Sequence, residues 1–323
     1  MNLPSPISFE PLAMERVWGG RRFETLLGKN LPPGVTVGEL WEMVDRPEAQ
    51  SVVRQGPFQG KTLHELWSSH REEVFGAAHR KNHSSRFPLL IKLLDACDRL
   101  SVQVHPPTPK SGNIGAEALE GEPKTECWYF LHAAEGSCVY AGLKKGVTRQ
   151  SFEQALQNGT IEQTLHVAAA KTGESIFIPS GRCHAIGKGL VIVEVQQNSD
   201  TTYRVFDWNR KGLDGKPRDL HIPESLASID FGDFEPTLTP AGNPVVADCP
   251  YFLVQKKDLP SPLDVAMEGD FSIITCITGE VTCGESILKP GGLLLIPACM
   301  REAILTPSTT GTTILVTRLP SQE

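Results

Sequence analysis

The sequence predicts a mainly β protein made of short strands and tight turns. Three observations carry this. Twenty-nine glycines and twenty-five prolines in 323 residues put turn residues throughout the chain. Short apolar or alternating runs bounded by those residues recur from one end to the other. Regular strand–helix alternation is missing, which argues against a doubly wound sheet or a TIM barrel and for a sandwich or jelly roll with a small helical insert.

Strands are expected at 87–94, 100–105, 127–131, 175–178, 190–196, 203–207, 271–277, 293–296 and 312–317. The first is an apolar run broken by Lys92, the second alternates around Gln103 and His105, and the fourth and eighth each end in Ile-Pro. Helices are fewer. Residues 62–75 place Leu63, Leu66, Trp67 and Val74 on roughly one side, 148–157 with 161–165 form a helical insert near 148–166, and Pro223 heads a short helix over 224–229, where proline is tolerated.

An internal echo organises the chain. Lys171-Thr-Gly-Glu-Ser-Ile-Phe-Ile-Pro-Ser180 is matched by Lys289-Pro-Gly-Gly-Leu-Leu-Leu-Ile-Pro-Ala298, 118 residues later. Aligned Lys and Gly make this more than a chance recurrence of a strand before Ile-Pro. The expected organisation is a chemistry-bearing barrel over 1–240 and a second, degenerate β-barrel over 241–323, with Glu302 standing where the first copy has His184.

Composition bounds the function. Net charge is −7, and scattered basic residues leave no electrostatic footprint for nucleic acid or an acidic membrane. The first residues lack a basic and an apolar signal region, and no apolar run approaches the ~20 residues of a membrane span, so a cytoplasmic location is expected. Eight cysteines show no C-x-x-C pair and read as single thiols in a reducing compartment.

The chemistry gathers in Ser101-Val-Gln-Val-His-Pro106 and Lys124-Thr-Glu126. Residues two apart on a strand share a face, so Gln103 with His105 and Lys124 with Glu126 can meet in one space. His105, Glu126 and His184 offer two nitrogens and a carboxylate, the donors of a catalytic zinc site, with Gln103 as a weak fourth. Any one of these histidines alone reads as core or surface, and Glu126 alone as the partner of Lys124. Cys127 and Cys183 adjoin the candidate ligands, but neighbours in extended chain face opposite sides. The other histidines (64, 70, 79, 83, 132, 166 and 221) read as surface or helix residues.

Cations come next. Lys92 fits two readings about equally: a gatekeeper snorkelling from an edge strand, or an ammonium turned into the pocket toward a carboxylate or phosphate. Lys124 shares the face of Glu126, and a neighbouring divalent cation would favour its neutral amine, making it a candidate base. Arg204 is suited to phosphate or enediolate oxygens, the plain alternative being a salt bridge to Asp200 or Asp207. Arg182 joins Lys92, Lys124 and Arg204 as a candidate phosphate ligand.

These segments, with Phe87-Pro-Leu-Leu-Ile-Lys92, Ile178-Pro-Ser-Gly-Arg-Cys-His184, Ser199-Asp-Thr-Thr-Tyr-Arg-Val-Phe-Asp-Trp208 and Val37-Gly-Glu-Leu-Trp-Glu42, resemble the mannose-6-phosphate isomerases of the cupin superfamily, in their shorter bacterial form. The matching segments run in family order from about residue 10 to 210. The resemblance implies cupin-like jelly-roll barrels and one zinc per chain, bound by His105, Glu126, His184 and Gln103. It implies Arg204 as the catalytic arginine and Lys124 as a proton-transfer group, with isomerisation through a cis-enediol. Lys92 and Arg182 are the expected substrate-binding cations. The partner is then a small sugar phosphate, with neither nucleic acid nor membrane, on a monomer or weak homo-oligomer. Departures lie after His-Pro, where Pro107-Thr-Pro-Lys-Ser-Gly-Asn replaces a usual Asp-Asp, and in Val-Gly-Glu-Leu for Ile-Gly-Glu-Ser; both bear on loop shape. Two other functions use the same pattern: an iron-dependent dioxygenase with a 2-His-1-carboxylate triad, and a non-catalytic sugar-phosphate-binding cupin. Lys-x-Glu and Arg204 favour a phosphorylated polyol over the first, and the full ligand set argues against the second.

Overall fold

A computed structural model describes residues 5–108 and 120–320. Its first eleven strands are β1 (Leu12–Gly20), β2 (Val37–Met43), β3 (Leu89–Ala96), β4 (Val102–Val104), β5 (Glu126–Ala133), β6 (Cys138–Leu143), β7 (Leu165–Ala169), β8 (Ser175–Ile178), β9 (His184–Ile186), β10 (Leu190–Gln197) and β11 (Tyr203–Phe206). They make a six-stranded sheet, β1-β2-β3-β10-β5-β8, and a five-stranded sheet, β11-β4-β9-β6-β7. Nine further strands follow: β12 (Val245–Asp248), β13 (Leu253–Asp258), β14 (Leu263–Asp264), β15 (Ser272–Thr278), β16 (Val281–Cys283), β17 (Ser286–Leu288), β18 (Leu293–Ile296), β19 (Ile304–Pro307) and β20 (Thr313–Arg318). These form sheets β12-β13-β20-β15-β18 and β14-β19-β16-β17. The fold is mainly β and cupin-like, as the sequence predicts.

The helices follow their capping residues. They are α1 (Arg22–Leu27), α2 (Leu63–Ser69), α3 (Arg71–Phe75), α4 (Arg149–Gln157) and α5 (Ile222–Ser228). Thr62 and Glu65 form a capping box that starts α2, and Thr148 with Ser151 does the same for α4. The helix expected over 62–75 is two helices, because His70 leaves helical geometry at φ −124°. The helix expected from 224 begins at Ile222, with Pro223 inside its first turn.

Side-chain alternation decides which face of the large sheet is wet. On β3, β5 and β10, Leu89, Ile91, Leu93, Cys127, Tyr129, Val191, Val193 and Val195 face one apolar cluster. That cluster also takes Val246, Val254, Ile273, Leu295 and Leu315, so the large sheets of the two barrels share one core. The opposite face changes character along each strand. Leu94, Trp128 and Ile192 belong to the interior apolar cluster, whereas Lys92, Glu126 and Glu194, two residues further, are buried charges. The interior of the first barrel is thus dry at one end and ionic at the other.

The echo has a structural basis. The first copy ends in β8 and the second in β18, each an edge strand of its sheet. Gly173 and Gly291, 118 apart, both turn the chain at positive φ (88° and 76°) just before those strands.

Candidate active site

The site forms where the two sheets of the first barrel face each other. Backbone pairing sets Gln103 opposite His184 on β9 and opposite Arg204 on β11. In the large sheet Lys92 lies opposite Glu194, and Glu126 opposite Gln196. Six strands of two sheets therefore aim polar groups at one interior region.

His105, Glu126 and His184 are fully buried, with one ligand atom from each within 4.8 Å of the others. Glu126 Oε2 lies 3.6 Å from His105 Nε2, and Oε1 lies 3.5 Å from His184 Nε2. Each histidine has Nδ1 2.8 Å from a backbone carbonyl, that of Thr201 for His105 and of Arg182 for His184. A carbonyl only accepts, so the proton sits on Nδ1 and the Nε2 lone pair faces inward. Burial lowers the proton affinity of both rings, that of His184 to about 3, which keeps them neutral. Burial alone would push the Glu126 carboxyl up, but the adjacent Lys124 ammonium overrides it and holds the group well below the usual range. Glu126 Oε1 is buried and accepts no hydrogen bond among the described residues.

That donor set fits a divalent cation. Ligand atoms at bond lengths of about 2.0–2.1 Å sit about 3.4 Å apart in tetrahedral geometry, and Glu126 turns one oxygen to each imidazole at close to that spacing, Oε2 at 3.6 Å from His105 and Oε1 at 3.5 Å from His184. Gln103 Nε2 is 3.3 Å from His184 Nε2, placing the amide at the edge of the cluster. Cys127 and Cys183 are turned away into two different apolar clusters.

Charged side chains surround the triad. Lys124 Nζ lies 2.5 Å from Glu126 Oε2 and 3.5 Å from Glu194 Oε1. Lys92 Nζ lies 3.3 Å from Glu194 and 4.0 Å from Glu39. Its strand is in the middle of the sheet and the residue is buried, so the edge-strand reading of Lys92 is set aside. Burial would raise Glu39, yet Lys92 and Arg16 bring it down to about 2. Glu194 goes the other way: burial, then the charge of Glu126, raises it. Trp128 Nε1 donates to Glu194, and Trp41 Nε1 to Glu39.

A cavity of about 590 Å³ opens beside this cluster, lined by Trp18, Leu94, Leu100, Gln103, Lys92, Lys124, Glu39, Glu194, Arg16, Arg204 and Arg218 among others. Arg182 is not on its wall. Its guanidinium forks onto Asp233 at 2.7 Å and donates to the Phe177 carbonyl, so the expectation that it binds substrate is corrected. Arg204 lines the cavity and donates to the Asp219 carbonyl, while Asp207 is taken by Arg210 and Arg218. His79, expected as a surface or helix residue, lies in a 3-10 turn over Ala77–His79 and is buried against Asp270 of the second barrel. The unusual residues after Pro107 lie from 109 onward outside the described residues.

Sequence reasoning passed over Glu194, Glu39, Arg16 and Arg218. The signal for Glu194 was present: it interrupts Leu-Val-Ile-Val-Glu-Val just as Lys92 interrupts its own apolar run. Glu39 sat inside a recognised motif without a role. Arg218 ends a local run, Arg210-Lys-Gly-Leu-Asp-Gly-Lys-Pro-Arg218, hidden by the acidic average.

Comparison with known proteins adds to this geometry. The family model for phosphomannose isomerase type I, catalytic domain, matches residues 8–120. A mannose-6-phosphate isomerase of Streptococcus mutans is 35% identical over 312 residues, covering 93% of this chain and 95% of that relative. The solved mannose 6-phosphate isomerase of Bacillus subtilis matches with a TM-score of 0.83 and 30% identity, over 98% of this chain and 100% of that one. A mannose 6-phosphate isomerase solved with zinc and yttrium shares the fold at a TM-score of 0.71 and 19% identity, over 98% and 100% of the two chains.

Proposed function

The chain belongs to the mannose-6-phosphate isomerase family, and from that premise we propose a zinc-dependent aldose–ketose isomerase that interconverts mannose 6-phosphate and fructose 6-phosphate through a cis-enediol. The observation that carries the finer reading is the buried His105–Glu126–His184 triad, its Nε2 lone pairs facing inward beside a charged cavity. The zinc and yttrium bound by a relative of the same fold support the choice of metal.

His105, Glu126 and His184 would hold the ion, with Gln103 as a fourth donor. Zinc there would supply Lewis-acid polarisation of the sugar oxygens. The isomerisation moves one proton from C2 to C1 and one from O2 to O1. Lys124 is assigned the carbon-bound proton, taking it at C2 and returning it at C1. Glu194, 3.5 Å away and with raised proton affinity, can exchange a proton with it. Arg204 offsets the charge that grows on the sugar oxygens. Lys92, clamped between Glu194 and Glu39, meets the sugar hydroxyls, and Trp18, Leu94 and Leu100 wall off water.

The reading places the chemistry in residues 1–240 and gives 241–323 a supporting role. It puts the enzyme in the cytoplasm, as a monomer or weak homo-oligomer. Support comes from cysteines that are all free thiols; among the described residues no helix is long and apolar enough to cross a membrane. The test is a coupled assay for fructose 6-phosphate formed from mannose 6-phosphate, on protein assayed for zinc. Turnover that a chelator abolishes and zinc restores, at about one zinc per chain, is expected; metal-free protein with undiminished turnover refutes the zinc assignment.

A further inference from the structure

The cations on the cavity wall fall into two groups. In the inner group each faces a carboxylate. Arg16 pairs with Glu39 at 3.1 Å, Lys92 lies between Glu194 and Glu39, and Lys124 lies between Glu126 and Glu194. Three cations meet three carboxylates there, and Asp200 on the same wall adds further negative charge. A phosphate dianion gains little from so balanced a cluster.

The outer wall is different. Arg204 forms no ion pair among the described residues, and its buried Nε finds no hydrogen-bond partner among them. Next to it Asp207, a single buried carboxylate, receives two guanidinium groups. Arg210 lies 2.9 Å from Oδ1, and Arg218 forks onto both oxygens at 2.7 and 2.6 Å. Two carboxylates, Asp207 and the exposed Asp98, stand against the three guanidinium groups of Arg204, Arg210 and Arg218, which leaves one positive charge over. Arg210 turns away to the Arg99 carbonyl and Asp98, whereas Arg218 lines the cavity. Asp214, also on the wall, is engaged within its own turn by the Lys216 amide at 3.0 Å. The segment 210–218 carries four cations and one carboxylate, and a bridge between Lys211 and Pro217 closes it into a rim.

We propose that Arg218, preset by Asp207 and flanked by Arg204, is the subsite that takes the 6-phosphate and so selects phosphorylated over free sugars. This rests on the function proposed above. Arginine presents a planar fork matched to phosphate oxygens, and surplus positive charge at a cavity rim draws a dianion in. The spacing agrees. Arg204 is opposite Gln103 and Gln103 is opposite His184, so the backbone of the outer wall stands two strand spacings, about 9–10 Å, from that of His184 and one spacing from the strand that leads into His105. A hexose 6-phosphate bridges that span with C1 and C2 at the triad.

Two variants of the zinc-loaded full chain, Arg218→Gln and Arg218→Lys, test this by steady-state kinetics with inorganic phosphate as competitive inhibitor. Arg218→Gln should raise KM for mannose 6-phosphate and the inhibition constant of phosphate about 10–100-fold, with a much smaller change in kcat. Arg218→Lys should recover part of both, and the salt dependence of kcat/KM should flatten in Arg218→Gln only. Unchanged KM and phosphate inhibition in Arg218→Gln overturn the subsite and leave the isomerase reading standing. So does a loss confined to kcat. Calorimetry with inorganic phosphate separates the reverse case: Arg218-dependent binding by a protein that turns over no mannose 6-phosphate keeps the subsite and refutes the isomerase reading.

Discussion

The two barrels follow one strand plan and differ in what fills it. In the first, the run β3-β10-β5-β8 corresponds to β13-β20-β15-β18 in the second, and β4-β9-β6-β7 corresponds to β14-β19-β16-β17. Ladder partners fix the matching residues. Glu126 faces Ile178, and Ser272 faces Ile296, which is 118 residues on from Ile178. His184 is paired to Gln103 and Ala141, and Leu305 to Leu263 and Cys283. The counterpart of His184 is therefore Leu305 rather than Glu302, because the connection between β18 and β19 is longer than that between β8 and β9. Where the first barrel buries a carboxylate and an imidazole, the second buries Ser272 and an apolar cluster around Leu305. The scaffold holds its shape under either filling, so the candidate chemistry resides in a few inward positions at one end.

The largest expected effect comes from exchanging roles at those matched positions. His184→Ala should lose bound zinc and on the order of 10³-fold or more in turnover, since it removes a metal ligand. Leu305→Ala should leave zinc content and kinetics near wild type while costing about 2–5 kcal/mol of stability, as for a buried leucine in a closed core. Metal analysis, kinetics and denaturant melts of both variants decide the matter. Full zinc in His184→Ala, or impaired zinc binding in Leu305→Ala, would break the division of labour.

The next effect concerns β11, which with β1 has no counterpart in the second barrel among the described residues. β11 extends the sheet beyond β4, and the corresponding sheet of the second barrel stops at β14 among the described residues. Arg204 on that strand should act on chemistry without touching the metal. Arg204→Ala is expected to keep zinc and lose about 10²–10³-fold in kcat. Near-normal kinetics would show that the extra strand serves packing alone.

Much of this was legible in the sequence, for physical reasons that also mark the limit. Strands bounded by proline, such as β8 and β18, were readable to the residue, because Pro removes a donor and ends the ladder. The i, i+2 spacing of Gln103 with His105 and of Lys124 with Glu126 declared a shared face before any fold was known. Arg182 misled because its partner, Asp233, is fifty-one residues away, and no local pattern announces that pair. The same holds for β2, which brings Glu39 to Lys92 across a strand pair that neither segment encodes alone. Long-range pairing decides which cation is occupied and which is available.

The smallest expected effect tests whether the ionic end of the first barrel makes the protein sensitive to acid. Glu39 is the clearest reporter, being buried, paired with Arg16 and Lys92, and not a candidate ligand. Its carboxyl titrates at about 2 in the folded protein against 4.5 for the free group, because Lys92 and Arg16 outweigh burial. A carboxylate depressed on folding adds stability that is complete above the unfolded value and is lost as pH falls through the folded one. At neutral pH, Glu39→Gln should thus be less stable than wild type by on the order of 1–3 kcal/mol. That gap should shrink between about pH 4.5 and 2, as the wild-type carboxylate takes up its proton and comes to resemble the amide. Thermal melts of both proteins at neutral and acid pH read the difference directly. A gap that stays constant or widens on acidification would show that Glu39 contributes by shape and hydrogen bonding to Trp41, not by its charge.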